Sequence, residues 1–268
     1  MEQKLGTLRL KVLGTRGSVP VEGKNFARYG GATSCYKVLA GDEEIYLDAG
    51  SGIVSALPAR NTNITILLTH MHLDHLVGLP FFIALTEKER PIDIYANERV
   101  GLQPKEAIDK LISNPFWPCK IEHYPAKTRF NLLSEKFSIG DVEVEAMEGS
   151  HPAGSTIYRL TRQGKSLVYA TDFEHNPKAC EALINFAKGC DLLLYDAQYT
   201  PEEYERCRGY GHSIPQEGIK VAEAAGVGKL VFIHHAPLRS DAELDELERT
   251  FGRDDKITFA KSGDEFLL

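Results

Sequence analysis

The chain has 268 residues, 43% of them hydrophobic, and carries a net charge of −7 with a sequence pI of about 5.8. That length suits one large domain or two small ones, and the acidic balance offers no broad basic surface for sequence-independent binding to duplex nucleic acid. No apolar run reaches the ~18 residues of a membrane span, MEQKLGTLRLKVLGTRGS lacks the apolar stretch of a secretory signal, and the scattered cysteines (Cys35, Cys119, Cys180, Cys190, Cys207) form no CxxC pair, so a cytoplasmic protein with reduced, packing thiols is expected.

In chain order, LRLKVLGTRGS predicts a strand and a glycine-containing turn. CYKVLAG and EEIYLDAGSG predict a hairpin turning at GDEE. NITILLTH reads as a buried strand ending in histidine, and LVGLPFFIALTEKE as a helix after it. PIDIYAN is a strand, and LQPKEAIDKLI has helical periodicity. Residues 112–136, rich in proline and aromatics, read as a long loop or extension near a site. KFSIGDVEVEAMEGSH predicts strand, turn and strand, and STIYRLTRQGKSLVYATD a hairpin turning at RQGK. NPKACEALINFAKG is a helix, CDLLLYDAQY a strand, and SIPQEGIKVAEAAGVG a helix with a Ser start and a Gly stop. KLVFIHH is a strand, DAELDELERTFG an acidic helix with a solvated face, and KITFAKSGDEFLL an edge strand and tail. No linker or repeat interrupts this order, so residues 1–268 are expected to form one α/β domain, sheets inside and helices outside.

The chemistry concentrates in TILLTHMHLDHLVGLP, residues 65–80, which places His70, His72, Asp74 and His75 within six positions and holds three of the nine histidines. His70 and His72 are two apart, so on extended backbone they point the same way, and Asp74 and His75 follow once the chain has turned. Imidazole with carboxylate suits a borderline divalent ion such as zinc, manganese or iron. Four such residues in so short a stretch point to two ions. Further partners would come from other strand ends. His151 closes VEVEAMEGSH, Asp172 closes KSLVYATD, and His234 with His235 closes KLVFIHH. Residues at the C-terminal ends of strands share one rim of a sheet protein. Adjacent strand residues face opposite ways, so only one of His234 and His235 faces that rim. His123 and His175 read as surface or hydrogen-bonded residues. Phe116 and Trp117 read as packing or a lid, with stacking on a ring as the alternative. Arg28 and Lys24 are candidates for phosphate contact.

Together, THMHLDH, GSH, YATD and FIHH resemble the metallo-β-lactamase superfamily over essentially the whole chain. The resemblance implies an αβ/βα sandwich of class α/β, two central mixed β-sheets flanked by helices, with a dinuclear site on one rim. Carried over residue by residue, it implies that His70, His72 and His151 hold one metal, that Asp74, His75 and His234 hold the other, and that Asp172 bridges them. It favours His234 over His235, gives Asp48 of YLDAGSG a buttressing role, and counts Asp74 among the catalytic residues. The cofactors it implies are two divalent metal ions, zinc first, with manganese or iron as alternatives. A hydroxide shared between them would be the nucleophile.

LLLYDAQY is similar to the HEAT segment of the RNase Z branch, with Asp196 at the position of its Glu and Tyr195 in place of its His. GYGHSIPQEGIKVAEAAGVGKLVFIH is similar to that branch's GHST segment, which puts His212 on its catalytic His. A protonated His can assist an alkoxide leaving group, and a carboxylate such as Asp196 orients it. The chain departs from RNase Z where that family inserts its tRNA-gripping arm: His151 and Asp172 are only 21 positions apart, and HHAPLR stands where HFSxRY is kept. GTRGSVP…RYGGATSC looks like the opening of the branch's small phosphodiesterases. The resemblance thus implies a hydrolase of a small or cyclic phosphodiester, with His212 as general acid; without the arm and with an acidic pI, tRNA is not the expected partner, and the lack of a long apolar run leaves no membrane partner expected. A homodimer is left open. The alternatives are a thiolester or lactone hydrolase on the same site, or a non-catalytic metal-binding sensor.

Overall fold

A computed structural model describes residues 8–268; the first seven residues of the N-terminal segment read above for a signal lie outside the described residues. The strands are β1 (Arg9–Gly14), β2 (Cys35–Ala40), β3 (Glu43–Leu47), β4 (Asn63–Leu67), β5 (Pro91–Ala96), β6 (Lys127–Leu132), β7 (Lys136–Ile139), β8 (Val142–Gly149), β9 (Ser155–Arg162), β10 (Lys165–Ala170), β11 (Leu192–Asp196), β12 (Lys229–Ile233), β13 (Ile257–Phe259) and β14 (Glu265–Leu267). The α-helices are α1 (Pro104–Leu111), α2 (Pro177–Phe186), α3 (Pro201–Cys207), α4 (Pro215–Ala225) and α5 (Asp241–Phe251).

The strands form two mixed sheets of seven, in the orders β14-β1-β2-β3-β4-β5-β6 and β13-β12-β11-β10-β9-β8-β7. The inner faces meet in a core where Val12, Tyr36, Val38 and Leu67 lie with Val144, Leu160, Leu194 and Ile233. Outside the first sheet, Ile66 and Ile94 pack with Ile108 of α1. Outside the second, Val168, Leu193 and Phe232 pack with Leu183 of α2, Val221 of α4 and Leu244 of α5. β11 is buried at every position, as strands covered on both faces are. This is the α/β sandwich expected from the sequence. Among the described residues, no helix is long and apolar enough to cross a membrane.

Four local expectations are corrected. Residues 76–89 do not form a helix but two 3-10 turns, Leu79–Phe81 and Ile83–Thr86. Pro80 has no N–H to give a helix, and the Gly78 N–H is drawn to Ala49 O at 3.0 Å. Gly78 lies so close to the 49–50 turn that a Cβ there would sit 2.1 Å from Gly50 O. The segment is therefore tied to its neighbour rather than to itself. The loop expected over 112–136 contains β6, which extends the first sheet in parallel beside β5, with Arg129 Nε on Asp93 Oδ1 at 2.7 Å. Helix α4 is capped at Ile214 and not at Ser213, while its Gly226 stop adopts φ 66° as a left-handed cap does. The C-terminal tail is strand β14, which closes the first sheet against β1, while β13 edges the second. Helix α3 had no counterpart in the sequence reading; it starts on a Thr200–Glu203 capping box.

This topology decides where strand ends meet. β3 and β4 are parallel, as are β10, β11 and β12. β8 runs with β10 because both are antiparallel to β9. The β9–β10 hairpin turns on Gln163 (φ 49°) and Gly164 (φ 81°), the two left-handed positions a two-residue hairpin asks for.

Candidate metal centre

Each strand that reaches the rim ends in a polar side chain. Asp48 follows β3, His70 lies beyond β4, His151 beyond β8, Asp172 beyond β10, Asp196 ends β11 and His234 follows β12. Asp48, Asp172 and His234 adopt left-handed backbone (φ 61°, 50° and 59°), a conformation side chains rarely take. Three such residues at one rim are strain of the kind that surrounding contacts must hold in place. Asp74 and His75 sit in a single 3-10 turn, Leu73–His75, directly after His72.

Asp172 lies at the centre and divides the histidines between its two oxygens. Its Oδ1 faces His70 Nε2 at 3.5 Å and His151 Nε2 at 3.9 Å. Its Oδ2 faces His75 Nε2 at 3.1 Å and His234 Nε2 at 3.3 Å. Asp74 Oδ2 completes the second group, 3.2 Å from both His75 Nε2 and His234 Nε2. His70, His72, His151 and Asp172 present ligand-type atoms within 4.8 Å of one another, as do Asp74, His75, Asp172 and His234. The donor set fits a pair of divalent cations. His70 Nε2 and His75 Nε2 are buried and lack a hydrogen-bond partner among the described residues, while the other nitrogen of each ring is engaged: Thr69 Oγ1 lies 3.0 Å from His70 Nδ1 and Asp48 Oδ2 lies 2.7 Å from His75 Nδ1. Metal-binding imidazoles are oriented in this way.

Contacts behind these residues tie the rim together. Asp48, fully buried, also accepts from the Thr69 N–H (2.8 Å) and the Tyr169 hydroxyl (2.8 Å). The Ser18 N–H donates to Asp74 Oδ2 at 2.7 Å, with Ser18 itself at φ 64°. Gly17 leaves no room for a side chain: a Cβ would meet His234 Cε1 at 2.3 Å. Arg16, fully buried, donates to Gly30 O (2.8 Å), Ala236 O (3.1 Å) and Arg239 O (2.7 Å), which fixes the chain just past His234. His235 turns away from the cluster, its Nε2 2.9 Å from Ala260 O, and burial pushes its pKa down to about 3.

The electrostatics follow from this crowding. Burial opposes charge on His75, yet Asp172, Asp74 and Asp48 outweigh it and hold its pKa well above the ordinary imidazole value. His234, also opposed by burial, is raised to about 9 by Asp172, Asp74 and Asp196. Burial would raise Asp74, but His75 and His234 pull it far below the usual carboxylate range. On the other side, burial pushes His70 well down and His151 down to about 4.

A second couple stands beside the cluster. His212 Nδ1 lies 2.8 Å from Asp196 Oδ2, and the His212 ring stacks on His234 with centroids 4.8 Å apart and planes at 21°. Asp196 is completely buried and accepts from the Gln198 N–H (3.0 Å) and the Phe173 N–H (3.3 Å). Asp196, His212 and His234 are also close enough together to hold an ion. The 2.8 Å Asp196–His212 separation is that of a direct hydrogen bond, and Asp196 is already committed to backbone donors. We read the trio as an orienting network. Tyr195, which stands where the HEAT segment has its His, turns its hydroxyl to Ser213 Oγ at 2.8 Å.

Other candidates are placed elsewhere. Arg28, read as a phosphate contact, is paired with Asp245 and donates its backbone N–H to Asp241 Oδ2 at 2.8 Å, so α5 is bound to this loop and is not merely a solvated face. Lys24 lies in an exposed 3-10 turn, Lys24–Phe26. His123 Nδ1 accepts from the Lys120 N–H at 3.2 Å, and His175 Nδ1 lies 2.8 Å from Ser213 Oγ. Trp117 packs edge-on against Phe81 at 4.9 Å and donates to the Tyr124 hydroxyl at 3.0 Å, while Phe116 is exposed. The sequence analysis took GTRGS as a turn and as part of a family-like opening segment, without a partner for Ser18, and missed Thr69 and Tyr169 altogether. An isolated Thr or Tyr carries no signal of a partner so far along the chain.

Comparison with known proteins agrees with this geometry. The model of the beta-lactamase superfamily domain matches residues 43–235. A Ribonuclease Z from Haloarcula marismortui is 25% identical, the alignment covering 97% of this chain and 96% of that protein. The metallo-beta-lactamase fold protein YhfI from Bacillus subtilis superposes with a TM-score of 0.76 at 21% identity, over 98% of this chain and 100% of that one. A diphosphatase from the PhnP family superposes with a TM-score of 0.70 at 18% identity, over 98% and 97%. With most of its length matched and its His/Asp clusters gathered on one rim, the chain belongs to the beta-lactamase superfamily and is a metal-dependent hydrolase.

Proposed function

We propose that the chain works as one domain and is a dinuclear phosphodiesterase acting on a small or cyclic phosphodiester. The observation that carries this reading is the Asp196–His212 couple, stacked 4.8 Å from His234 at the edge of the ligand cluster. A thiolate leaves a thiolester without help, whereas an alkoxide leaving from phosphorus needs a proton. The names of the relatives, Ribonuclease Z and diphosphatase, both describe hydrolysis at phosphorus. We favour a small substrate over tRNA because the stretch where the resemblance expects a tRNA-gripping arm is a tight hairpin turning on Gln163 and Gly164.

In this reading His70, His72 and His151 hold one ion and Asp74, His75 and His234 the other, each group on its own oxygen of Asp172. Imidazole and carboxylate together suit zinc first, then manganese or iron. When bound, the two ions supply positive charge against the phosphoryl oxygens and an acidified water as nucleophile. Asp48 and Thr69 hold the His75 and His70 rings with Nε2 toward the cluster. Asp196 engages His212 Nδ1, which leaves Nε2 to give a proton to the leaving oxygen.

A panel with zinc and with manganese tests the class: bis-p-nitrophenyl phosphate, cyclic mononucleotides, cyclic phosphoribose, a thiolester and a lactam. Turnover of the thiolester or lactam alone would overturn it. Within the phosphodiesters, His212→Ala should lose ~10²–10⁴-fold on an alkyl or ribose leaving group and clearly less on bis-p-nitrophenyl phosphate, whose leaving group departs unaided. Metal content, about two ions per chain by elemental analysis, should not change in that variant.

A further inference from the structure

Two residues past Asp172 stands a carboxylate that the chemistry above leaves unused. Glu174 Oε1 accepts from the Gly209 N–H at 2.6 Å and the Tyr204 hydroxyl at 3.0 Å, and its Oε2 accepts from the Gly211 N–H at 2.9 Å. Its own N–H donates to Ser150 O at 2.7 Å. One residue therefore joins three segments of the rim: the turn carrying His151, the turn carrying Asp172, and the loop that leads into His212. That loop, RGYGH (208–212), contains two glycines in the left-handed region, Gly209 at φ 88° and Gly211 at φ 94°. With this backbone two N–H groups of one short loop reach a single carboxylate, an arrangement that forms an anion cradle. Gly211 lies against the His151 ring, where a Cβ would be 2.1 Å from His151 Cδ2, and His212 follows directly. Glycines give a loop more freedom than any other residue. The carboxylate ties the two glycine N–H groups of this segment to the rim.

We infer that Glu174 is a positioning residue that latches the 208–211 loop onto the metal rim and so decides where His212 stands. The inference rests on the general-acid reading of His212 for its kinetic consequence, but the latch itself has a separate readout. Glu174→Gln keeps the shape and volume. Its amide, however, leaves one end that cannot accept from a backbone N–H.

The first measurement is native-state trypsin cleavage of metal-loaded protein after the exposed Arg208. Glu174→Gln should cleave about tenfold faster, the scale of one charge-assisted hydrogen bond. Glu174→Asp, which keeps both oxygens, should lie between it and the parent. The second is a double-mutant cycle. Glu174→Gln should lose about tenfold in kcat on a cyclic nucleotide and less on bis-p-nitrophenyl phosphate, with metal content unchanged. In a His212→Ala background it should lose nothing further. An unchanged trypsin rate overturns the latch. Equal kcat losses in both backgrounds overturn its action through His212. If His212→Ala alone costs nothing, the general-acid reading falls, and the trypsin rate still decides whether Glu174 holds the loop. Should Glu174→Gln fail to fold, Glu174→Asp carries the same measurements against the parent.

Discussion

On the Oδ2 side of Asp172, His75 is gripped by Asp48 at 2.7 Å, Asp74 takes the Ser18 N–H at 2.7 Å, and His234 lies under Gly17 with no space between. All three side chains are buried. On the Oδ1 side, the His70 and His151 side chains are also buried, beside Thr69 and against Gly211, but His72 is exposed. The first group is braced by groups drawn from β3, from β10 and from the turn after β1. The second opens to solvent at His72. The contrast is between an inner group braced on every side and an outer group open at one edge.

The comparison can be broken or sharpened by substitution. The largest effect should come from the residue both groups share. Asp172→Ala should empty both positions by elemental analysis and bring phosphodiester turnover to background, a loss on the order of 10⁴-fold or more, as when a catalytic unit is broken. One ion retained at full occupancy would mean the groups are independent.

Next, the two sides should separate in stability. His75→Ala leaves the buried Asp48 carboxylate without its ring partner, and breaking a buried pair costs about 3–5 kcal/mol. His72→Ala, on an exposed side chain, should stay within about 0.5 kcal/mol. Urea unfolding of the metal-free proteins checks this, and equal losses would erase the distinction between inner and outer positions.

A smaller effect is expected from Asp48→Asn, which keeps the shape while weakening the hold on His75. Loss of such an orienting partner typically costs ~10–100-fold in metal affinity. A chelator titration should show one ion leaving earlier than in the parent and the other unmoved. If both shift together, Asp48 supports the rim as a whole rather than one position.

The smallest effect on metal content belongs to His235→Ala. That ring packs between Tyr29 and Phe259, at centroid distances of 5.9 and 6.0 Å, and faces Ala260 O. It should cost stability in the range of ordinary buried substitutions, about 1–3 kcal/mol, and leave metal content at the parent value. His234→Ala should lose one ion. The reverse pattern would move the inner position by one residue.

The sequence by itself determined much about this protein. The α/β class, the hairpins and the terminal position of each ligand-type residue were legible, because a buried strand and the polar residue that ends it are neighbours in the chain. The apolar runs of β4, β11 and β12 announce covered strands whatever surrounds them. What only the tertiary structure decided depends on groups far apart in sequence. The Ser18 N–H meets Asp74 across 56 positions, and Tyr169 meets Asp48 across 121. Backbone donors and lone hydroxyls carry no pattern, so neither bond has a sequence signature. Residues 76–89 have the apolar content of a helix, yet the pull of Ala49 O on the Gly78 N–H keeps them in turns. Strand β6 forms because β5 offers an edge beside it, and Arg28 is spent on α5 because folding brings that acidic helix to it. In each case local propensity was weak and a distant partner supplied the free energy that settled the backbone, which no window along the chain can contain.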